Sequence, residues 1–321
     1  MSGTSGTSYT QKAIDVTITL GLGTFGDTGK NTVTLKGLRV LASIIKSGYP
    51  SLDRANVRVY GLPPSIMNTV STLGIPRPMI RKNNIVTVQA GDTTNGMSVV
   101  YSGFMLDCYQ DYSEAPETSL VIASYGGALS MIESAAPSSF PGSGDVATIM
   151  SGLALQMGMK FENNGVQVKL SSPYFSGSLM SQAHQLARAA NIEMYPDTST
   201  IPGTLAIWPK LGTRGGKIPL INTASGLVGY PTFQSNGMSF KTLFNPNIIL
   251  NGKIQMQSSV GVAPTTVGAN GPVEAGTQSG GPNGFWFVTN PLVHDLSAEV
   301  PGGPWFTSCS CVRVPGQPGQ S

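Results

Sequence analysis

The sequence predicts a mainly β protein in which two antiparallel sheet units flank a small α+β unit. Three observations carry this. Apolar and polar residues alternate with a period of two in most segments, turns rich in Gly, Pro and Asn recur at short intervals, and a sustained helical period occurs only between Val146 and Ala190.

The first unit opens at Ala13–Leu20, where Ile14, Val16, Ile18 and Leu20 alternate with Asp15, Thr17 and Thr19. After the Gly-rich turn 21–31, β character resumes over Thr32–Ile45. Residues 46–56 read as a loop around Pro50, and Val57–Leu62 as a strand ended by Pro63-Pro64. Ser65 is the expected N-cap of a short helix, Ile66–Leu73, closed by Gly74. Strands Ile85–Gln89 and Met97–Tyr109, joined through Gly91-Asp92 and Asn95-Gly96, and then Leu120–Tyr125, complete an antiparallel barrel or sandwich over 13–136.

Composition changes at Pro137–Gly144, the expected boundary of an α+β unit over 145–210. Asp145 is placed to cap a helix from Val146 to about Met157, with Ile149, Leu153 and Met157 on one face. Asn163-Asn164-Gly165 makes a turn into a strand at Val166–Leu170. A second helix, Ser178–Ala190, which Ser178 can cap, has Leu179, Ala183, Leu186 and Ala190 on one face, and strands Ile192–Tyr195 and Thr204–Trp208 follow. The second sheet unit, 218–314, has strands at Leu227–Tyr230, Met238–Leu243, Ile248–Gln257, Phe285–Leu296 and Thr307–Val314. A long loop of Gly, Pro, Ala and Thr fills 258–283. Residues 1–12 and 315–321 are expected to be a flexible arm and tail.

Composition narrows the function. Only 11% of the 321 residues are charged, against roughly 25% in an ordinary soluble domain. A folded chain with so little charge is poorly protected against association, so oligomerisation is expected. The 19 basic and 16 acidic residues are interspersed, and the longest basic cluster is Arg77, Arg81 and Lys82. A nucleic-acid binder presents a basic stripe, and none is visible. No stretch approaches the ~20 apolar residues of a membrane span, and the Ser/Gly/Thr N-terminus lacks the features of a signal peptide. The chain is therefore expected to be made in the cytoplasm, without membrane insertion.

The residues able to do chemistry are few. Cys108, Cys309 and Cys311 are an odd set. Spacing puts Cys309 and Cys311 on one face of a strand, and they read as buried or half-buried thiols in a reducing compartment, without the further ligands zinc needs. His184 lies just off the apolar stripe of its helix. His294 and Asp295 are strand neighbours that point to opposite faces. Asp107, Asp111, Glu114 and Glu117 read as a solvated acidic face and not as the separated carboxylate pair of a glycosidase. Trp286, Trp305 and Phe306 read as packing residues, although aromatic side chains can also stack on sugars or bases. Gly29-Lys30-Asn31 is not a phosphate loop, and no nucleophile elbow sits between a strand and a helix. The reading is a non-enzymatic protein with no catalytic, cofactor or metal site. A peptidoglycan-degrading enzyme, or a surface-carbohydrate module using Trp286 and Trp305, are the alternatives weighed against it.

A resemblance gives these features a context. The run Ser225-Gly226-Leu227-Val228-Gly229-Tyr230-Pro231-Thr232-Phe233 is followed by Leu243-Phe244-Asn245-Pro246, His294-Asp295-Leu296, Pro301-Gly302-Gly303-Pro304-Trp305-Phe306-Thr307 and Cys311. With Val57-Arg58-Val59-Tyr60-Gly61-Leu62, Phe161-Glu162-Asn163-Asn164-Gly165 and Pro173-Tyr174-Phe175-Ser176-Gly177-Ser178, the succession resembles the baseplate hub proteins of contractile-tailed bacteriophages. It spans roughly Ala13 to Val314 and departs from compact relatives at the 258–283 loop. The resemblance implies two tube-type antiparallel β-barrel domains per chain and a homotrimer with pseudo-sixfold symmetry. It also implies a tail tube protein on one side, a central spike protein on the other, and contacts to tape measure protein and other baseplate subunits. Phage DNA would pass through the channel without specific binding. The chain would then be a virion component assembled in the host cytoplasm.

Overall fold

A computed structural model of the chain describes residues 10–26, 29–48, 50–72, 84–92, 94–127, 134–234, 237–260, 267–268, 271–272 and 281–314. The protein is mainly β, and its backbone divides into two units. Unit 1 takes the chain through Ser43, then Ala55–Gly126 and Leu296–Pro304; unit 2 takes Ile44–Arg54, Gly127–Asp295 and the chain from Trp305.

Unit 1 is a sheet with one buried and one wet face. Its strands are β1 (Lys12–Thr19), β2 (Thr32–Leu35), β3 (Val40–Lys46), β4 (Arg54–Tyr60), β5 (Ile85–Asp92), β6 (Gly96–Asp111) and β7 (Ser119–Tyr125), with helix α1 (Pro64–Val70) between β4 and β5. β3 and β4 each cross between the units, at Ile44 and Ala55. The order runs β4-β7-β6-β5-β1-β2. Register explains the two faces: Val16 pairs with Leu35 and Val88, and Ile18 with Val33 and Val86. Of these, Val16, Ile18, Leu35, Val86 and Val88 are buried, and the residues between them face outward. The long strand β6 shifts register against β5 at Val88/Gln89 and against β7 between Met105 and Asp107, which lets one strand bend across two partners. Gly103 has no room for a side chain, because the Tyr101 hydroxyl, bonded to Ser124 at 2.9 Å, lies over it.

Two sequence expectations in this unit need correction. The helix starts two residues earlier than read and ends at Val70, with Ser71 as its C-cap: Pro63 is the N-cap, Pro64 occupies the first helical position, and no side chain caps it. Proline presets the helical φ and lacks only an N–H that would be orphaned anyway, so Ser65 lies inside the helix. Leu73 and Gly74, with Arg77, Arg81 and Lys82, lie outside the described residues. β4 starts at Arg54, three residues before the strand read from Val57, and so takes the end of the segment read as a loop.

Unit 2 contains an α+β part. Its elements are β8 (Ser138–Ser139), β9 (Ser143–Asp145), α2 (Val146–Gln156), β10 (Lys160–Asn163), β11 (Lys169–Ser171), β12 (Tyr174–Phe175), α3 (Leu179–Ala189), β13 (Ile192–Asp197) and β14 (Thr204–Pro209). The stretch read as a linker, 137–144, carries β8 and most of β9. The caps are those expected: Asp145 accepts from the Thr148 N–H and Ser178 from the Ser181 N–H. Ile149, Leu153, Ala183 and Leu186 are buried among Leu205, Ile207, Ile192 and Met194, so both helices pack on the β10-β14-β13 sheet. Buried Gln182 on α3 accepts from Ser138 Oγ at 2.6 Å and donates to the Ala136 and Gly177 carbonyls. The strand read at Val166–Leu170 is β11, three residues later at its start, because Val166 closes the preceding turn by donating its N–H to Asn163 Oδ1.

The remainder of unit 2 is sheet: β15 (Leu220–Ile221), β16 (Leu227–Gln234), β17 (Gly237–Leu243), β18 (Lys253–Met256), a two-residue pair β19 (Val267–Gly268) and β20 (Gly271–Pro272), β21 (Gly284–Ala298) and β22 (Trp305–Arg313). The order is β16-β17-β22-β21, with β18 paired to β21 and β15 to β18. The expected strand Ile248–Gln257 shrinks to β18 because its first half turns: the Gly252 N–H donates to the Ile249 carbonyl and Asn251 has φ 60°. A second core gathers here around Trp286, Met238, Ile254, Val288 and Leu292, all fully buried. Of the 258–283 loop, 261–266, 269–270 and 273–280 lie outside the described residues, as do residues 1–9 of the arm and the tail 315–321.

Candidate functional site

The residues singled out for chemistry are dispersed, and most are packed away. Cys108, Cys309 and Cys311 are free thiols, all buried. Burial pushes Cys108 and Cys311 up to about 12 and Cys309 well above the usual thiol range, so none supplies a thiolate at neutral pH. The expected common face of Cys309 and Cys311 is the inner face of β22, where Cys311 Sγ donates to the Met238 carbonyl at 3.2 Å. His294 is buried, 3.0 Å from Thr307 Oγ1 and edge-on to Phe244. Burial, reinforced by Lys46, lowers it to about 3, so the ring is neutral. His184 is half-buried on α3, at the edge of its apolar stripe.

The acidic quartet splits up. Asp111 and Glu114 both pair with Arg58, at 3.0 and 3.5 Å, while Glu117 pairs with Arg39 at 2.6 Å. Asp107, Glu114 and Glu117 are exposed. Trp286 is fully buried, with its indole N–H on the Pro282 carbonyl, and Trp305 is 8% exposed against Phe244. Neither ring offers a face on which a sugar could stack. Among the described residues, no group of three or more His, Cys, Asp or Glu is placed to hold a metal ion, and no helix is long and apolar enough to cross a membrane.

The densest polar constellation is one that no sequence motif announces. In unit 2, Arg214 donates to Asp197 Oδ2 from Nη1 at 2.8 Å and grips Glu162 with Nε and Nη2 at 3.3 and 2.9 Å. Lys46 lies 3.7 Å from Asp197 on its other side and also bonds Ser199. Asp197 Oδ1 accepts from the Ser199 N–H and hydroxyl. Beside this group, Asp53 accepts from Tyr195 Oη at 2.6 Å, Thr198 Oγ1 at 2.8 Å and the Ser47 N–H at 3.1 Å. Lys46, Asp197 and Arg214 have side chains at most 5% exposed.

Burial alone would raise Asp197, yet Lys46 and Arg214 outweigh it and hold the carboxyl well below its usual range. For Asp53 the balance reverses: burial raises it despite Lys46 and three donors. Tyr195 is pushed up by burial and by the Asp53 and Asp197 charges, and keeps its proton. The Arg214 guanidinium is raised because its carboxylates outweigh its burial. Every named carboxylate is already engaged by donors, so the arrangement suits holding segments together and not turnover. Sequence offered no signal for it, since Asp53 and Tyr195 are 142 residues apart.

The outward face of unit 1 has a different chemistry. One row crosses four strands as Thr34, Thr17, Thr87 and Ser102. The hydroxyls pair within it, Thr17 with Thr34 at 3.1 Å and Thr87 with Ser102 at 3.0 Å. In the adjacent row Thr32 donates to Thr19 at 3.3 Å.

A family model described as Baseplate hub gp41 matches residues 13–265. No curated protein sequence matches the chain. Among solved structures, the 43 kDa tail protein of prophage MuSo2 from Shewanella oneidensis is similar at 10% identity, with TM-score 0.55 over 93% of this chain and 96% of that one. A tail protein from Neisseria meningitidis MC58 is similar at 9% identity, with TM-score 0.57 over 94% and 97%. The E. coli c3393 protein, a type VI secretion component described as structurally similar to the T4 tail proteins gp27 and gp5, gives TM-score 0.50 at 9% identity over 88% and 76%. At these identities the likeness is one of fold.

Proposed function

The chain belongs to the Baseplate hub gp41 family, and from that premise we propose that it is the symmetry adaptor of a contractile phage tail. As a member of that family it is a structural component of the virion tail baseplate. In the fuller reading, residues 13–136 and 218–314 are two tube-type barrels and 145–210 an insertion. Three copies then set six barrels in a ring. The sixfold face meets the tail tube, the threefold face meets the central spike, and the genome passes through the middle. Tape measure protein and other baseplate subunits are further partners, and assembly takes place in the host cytoplasm.

The observation that carries this reading is the family match over most of the chain together with a fold shared, nearly end to end, with tail proteins. The physical chemistry agrees with it. A chain with 11% charged residues leaves broad uncharged surface for subunit contact, and its buried polar groups are arranged to brace. Mass photometry of the purified chain, alone and with tube and spike proteins, tests the ring: trimers are expected, at the latest when both partners are present. A stable monomer with both partners added overturns the reading.

A further inference from the structure

We propose that the turn 209–212 in unit 2, with the cavity beside it, is a docking site for a segment of a partner protein in which a carboxylate side chain stands next to an apolar one. The inference does not rest on the ring or the channel: it concerns unit 2 alone and needs only a protein partner.

Leu211 is the first observation. It is 90% exposed, more than any other large apolar side chain among the described residues, and its φ is 88°. An exposed leucine alone means little, but a bulky residue at positive φ is strained. The other described non-glycine residues with positive φ are Ser172, Asn191, Asn251 and Glu299, none of them apolar. Asn191 has an ordinary reason for it, since it follows Ala190, the C-cap of α3. Nothing in the fold offsets the strain at Leu211, because its side chain is in water. The turn is nevertheless fixed. The Gly212 N–H donates to the Pro209 carbonyl at 2.7 Å, the Arg214 N–H to the Asn251 carbonyl at 3.0 Å and the Gly215 N–H to Asn164 Oδ1 at 2.6 Å. The Arg214 side chain is tied into the ionic cluster. Leu211 is held out to solvent on a rigid support.

The second observation is the unpaired charge next to it. Pairing of Ile192 with Pro209 brings Lys210 to the end of α3, where His184, Arg188, Asn191, Glu193 and Lys210 rim a cavity of about 270 Å³. No hydrogen bond or salt bridge joins the side chains of Arg188, Glu193 and Lys210 to one another or to any other described residue. Arg39, Arg58 and Arg214, by contrast, are all ion-paired. Burial and Arg188 push His184 down, against Glu193, so its ring adds no charge at neutral pH. Two cations facing one carboxylate leave a place for one more carboxylate. The third observation is the sign of the surrounding sequence. Charges are interspersed over the whole chain, yet between Asp197 and Glu274 there is no Asp or Glu and there are five Lys or Arg. A partner meeting this turn finds positive charge around an apolar knob, and the complement is an acidic segment with an apolar residue in it.

The probe is a peptide in which Leu is flanked by Glu, compared with Gln-flanked and Lys-flanked versions, each titrated against the full chain by ligand-observed NMR. The Glu peptide is expected to bind roughly tenfold more tightly than the Lys peptide, and to lose most of that margin as salt rises from about 50 to 500 mM. Arg188→Gln combined with Lys210→Gln, both exposed positions, should bring the Glu and Gln peptides within about twofold of each other. Leu211→Gly should weaken the Glu peptide roughly fivefold while raising the melting temperature by about 2–4 °C. A gain in stability coupled to a loss of binding is what a purely structural leucine would not show. Equal binding of the Glu and Lys peptides overturns the proposal, and so does a Leu211→Gly chain that binds as the parent does or melts lower. Loss of self-association in either variant, read by sedimentation, assigns the site to a second copy and overturns it as well.

Discussion

Arg214 engages two carboxylates at once and stacks its charge within 5.8 Å of the Tyr195 ring. Its value lies in what its loss would strand. Replacing it with methionine keeps most of the volume but leaves Asp197 and Glu162 short of a cation, with Asp197 buried. The expected loss is about 3–5 kcal/mol, read as a shifted urea midpoint; a change below ~1 kcal/mol would show that the cluster is dispensable. His294 makes a pH-dependent prediction of definite sign. The folded chain holds it neutral, down to about 3, whereas the unfolded chain protonates near the ordinary value of about 6.5. Unfolding therefore takes up a proton as the pH falls below that value, and stability is lost by up to about 1.4 kcal/mol per unit between pH 6.5 and 3. Half-buried His184 is also lowered and adds in the same direction. Denaturation at pH 7.5 and 5.0 should show the loss, and His294→Gln should remove most of it. An unchanged slope in that variant would assign the effect elsewhere.

At the level of strands and helices, legibility followed locality. The period-two runs of β1, β5 and β22, and the caps Asp145 and Ser178, were readable because each depends on residues within a few positions of itself. Ser65 misled because a proline at the first helical position outranks a side-chain cap. The sequence overstates the length of β18 because apolar Ile248 and Leu250 are buried from a turn and not from a strand. The ionic cluster was invisible for a different reason: its members are brought together by four separated segments, and none has a neighbour that betrays it. Close backbone approaches are equally hidden. A Cβ on Gly237 would sit 2.1 Å from the Cys311 carbonyl oxygen across the β17–β22 pair. Gly237→Ala should therefore push those strands apart at a cost of about 1–3 kcal/mol, with faster amide exchange at Met238 and Cys311. Unchanged protection there would mean that the strand end is free to move aside.

For the whole molecule, scarcity of charge has a measurable consequence. Surface ion pairs weaken with salt, whereas contacts between uncharged surfaces do not depend on a Debye length of about 8 Å at physiological ionic strength. The ring proposed above should dissociate with a constant that moves less than roughly threefold between 50 and 500 mM salt, measured by mass photometry or sedimentation. A tenfold or greater weakening would place charged residues at the heart of the interface. Family and fold class were open to sequence reading because order and spacing of short segments persist where identity does not: the similar tail proteins share only 9–10% of residues. The outward hydroxyl rows were not, since Thr in a strand carries no information about its cross-strand partner until register is known.

The interleaving of the two units sets a schedule for synthesis. Asp53 must wait for Tyr195, 142 residues later, which is on the order of 10 s on a bacterial ribosome. Unit 1 must wait longer, for Leu296–Pro304, where Glu299 receives a bond from Gln11, 288 residues upstream. The nascent chain thus keeps its early strands provisional until Leu296–Pro304 has been made, a delay that invites chaperone attention and discourages early pairing with sister chains. A polypeptide halted after Asp295 should then be protease-sensitive across all of unit 1, and resistance there would show that its sheet closes without the late segment.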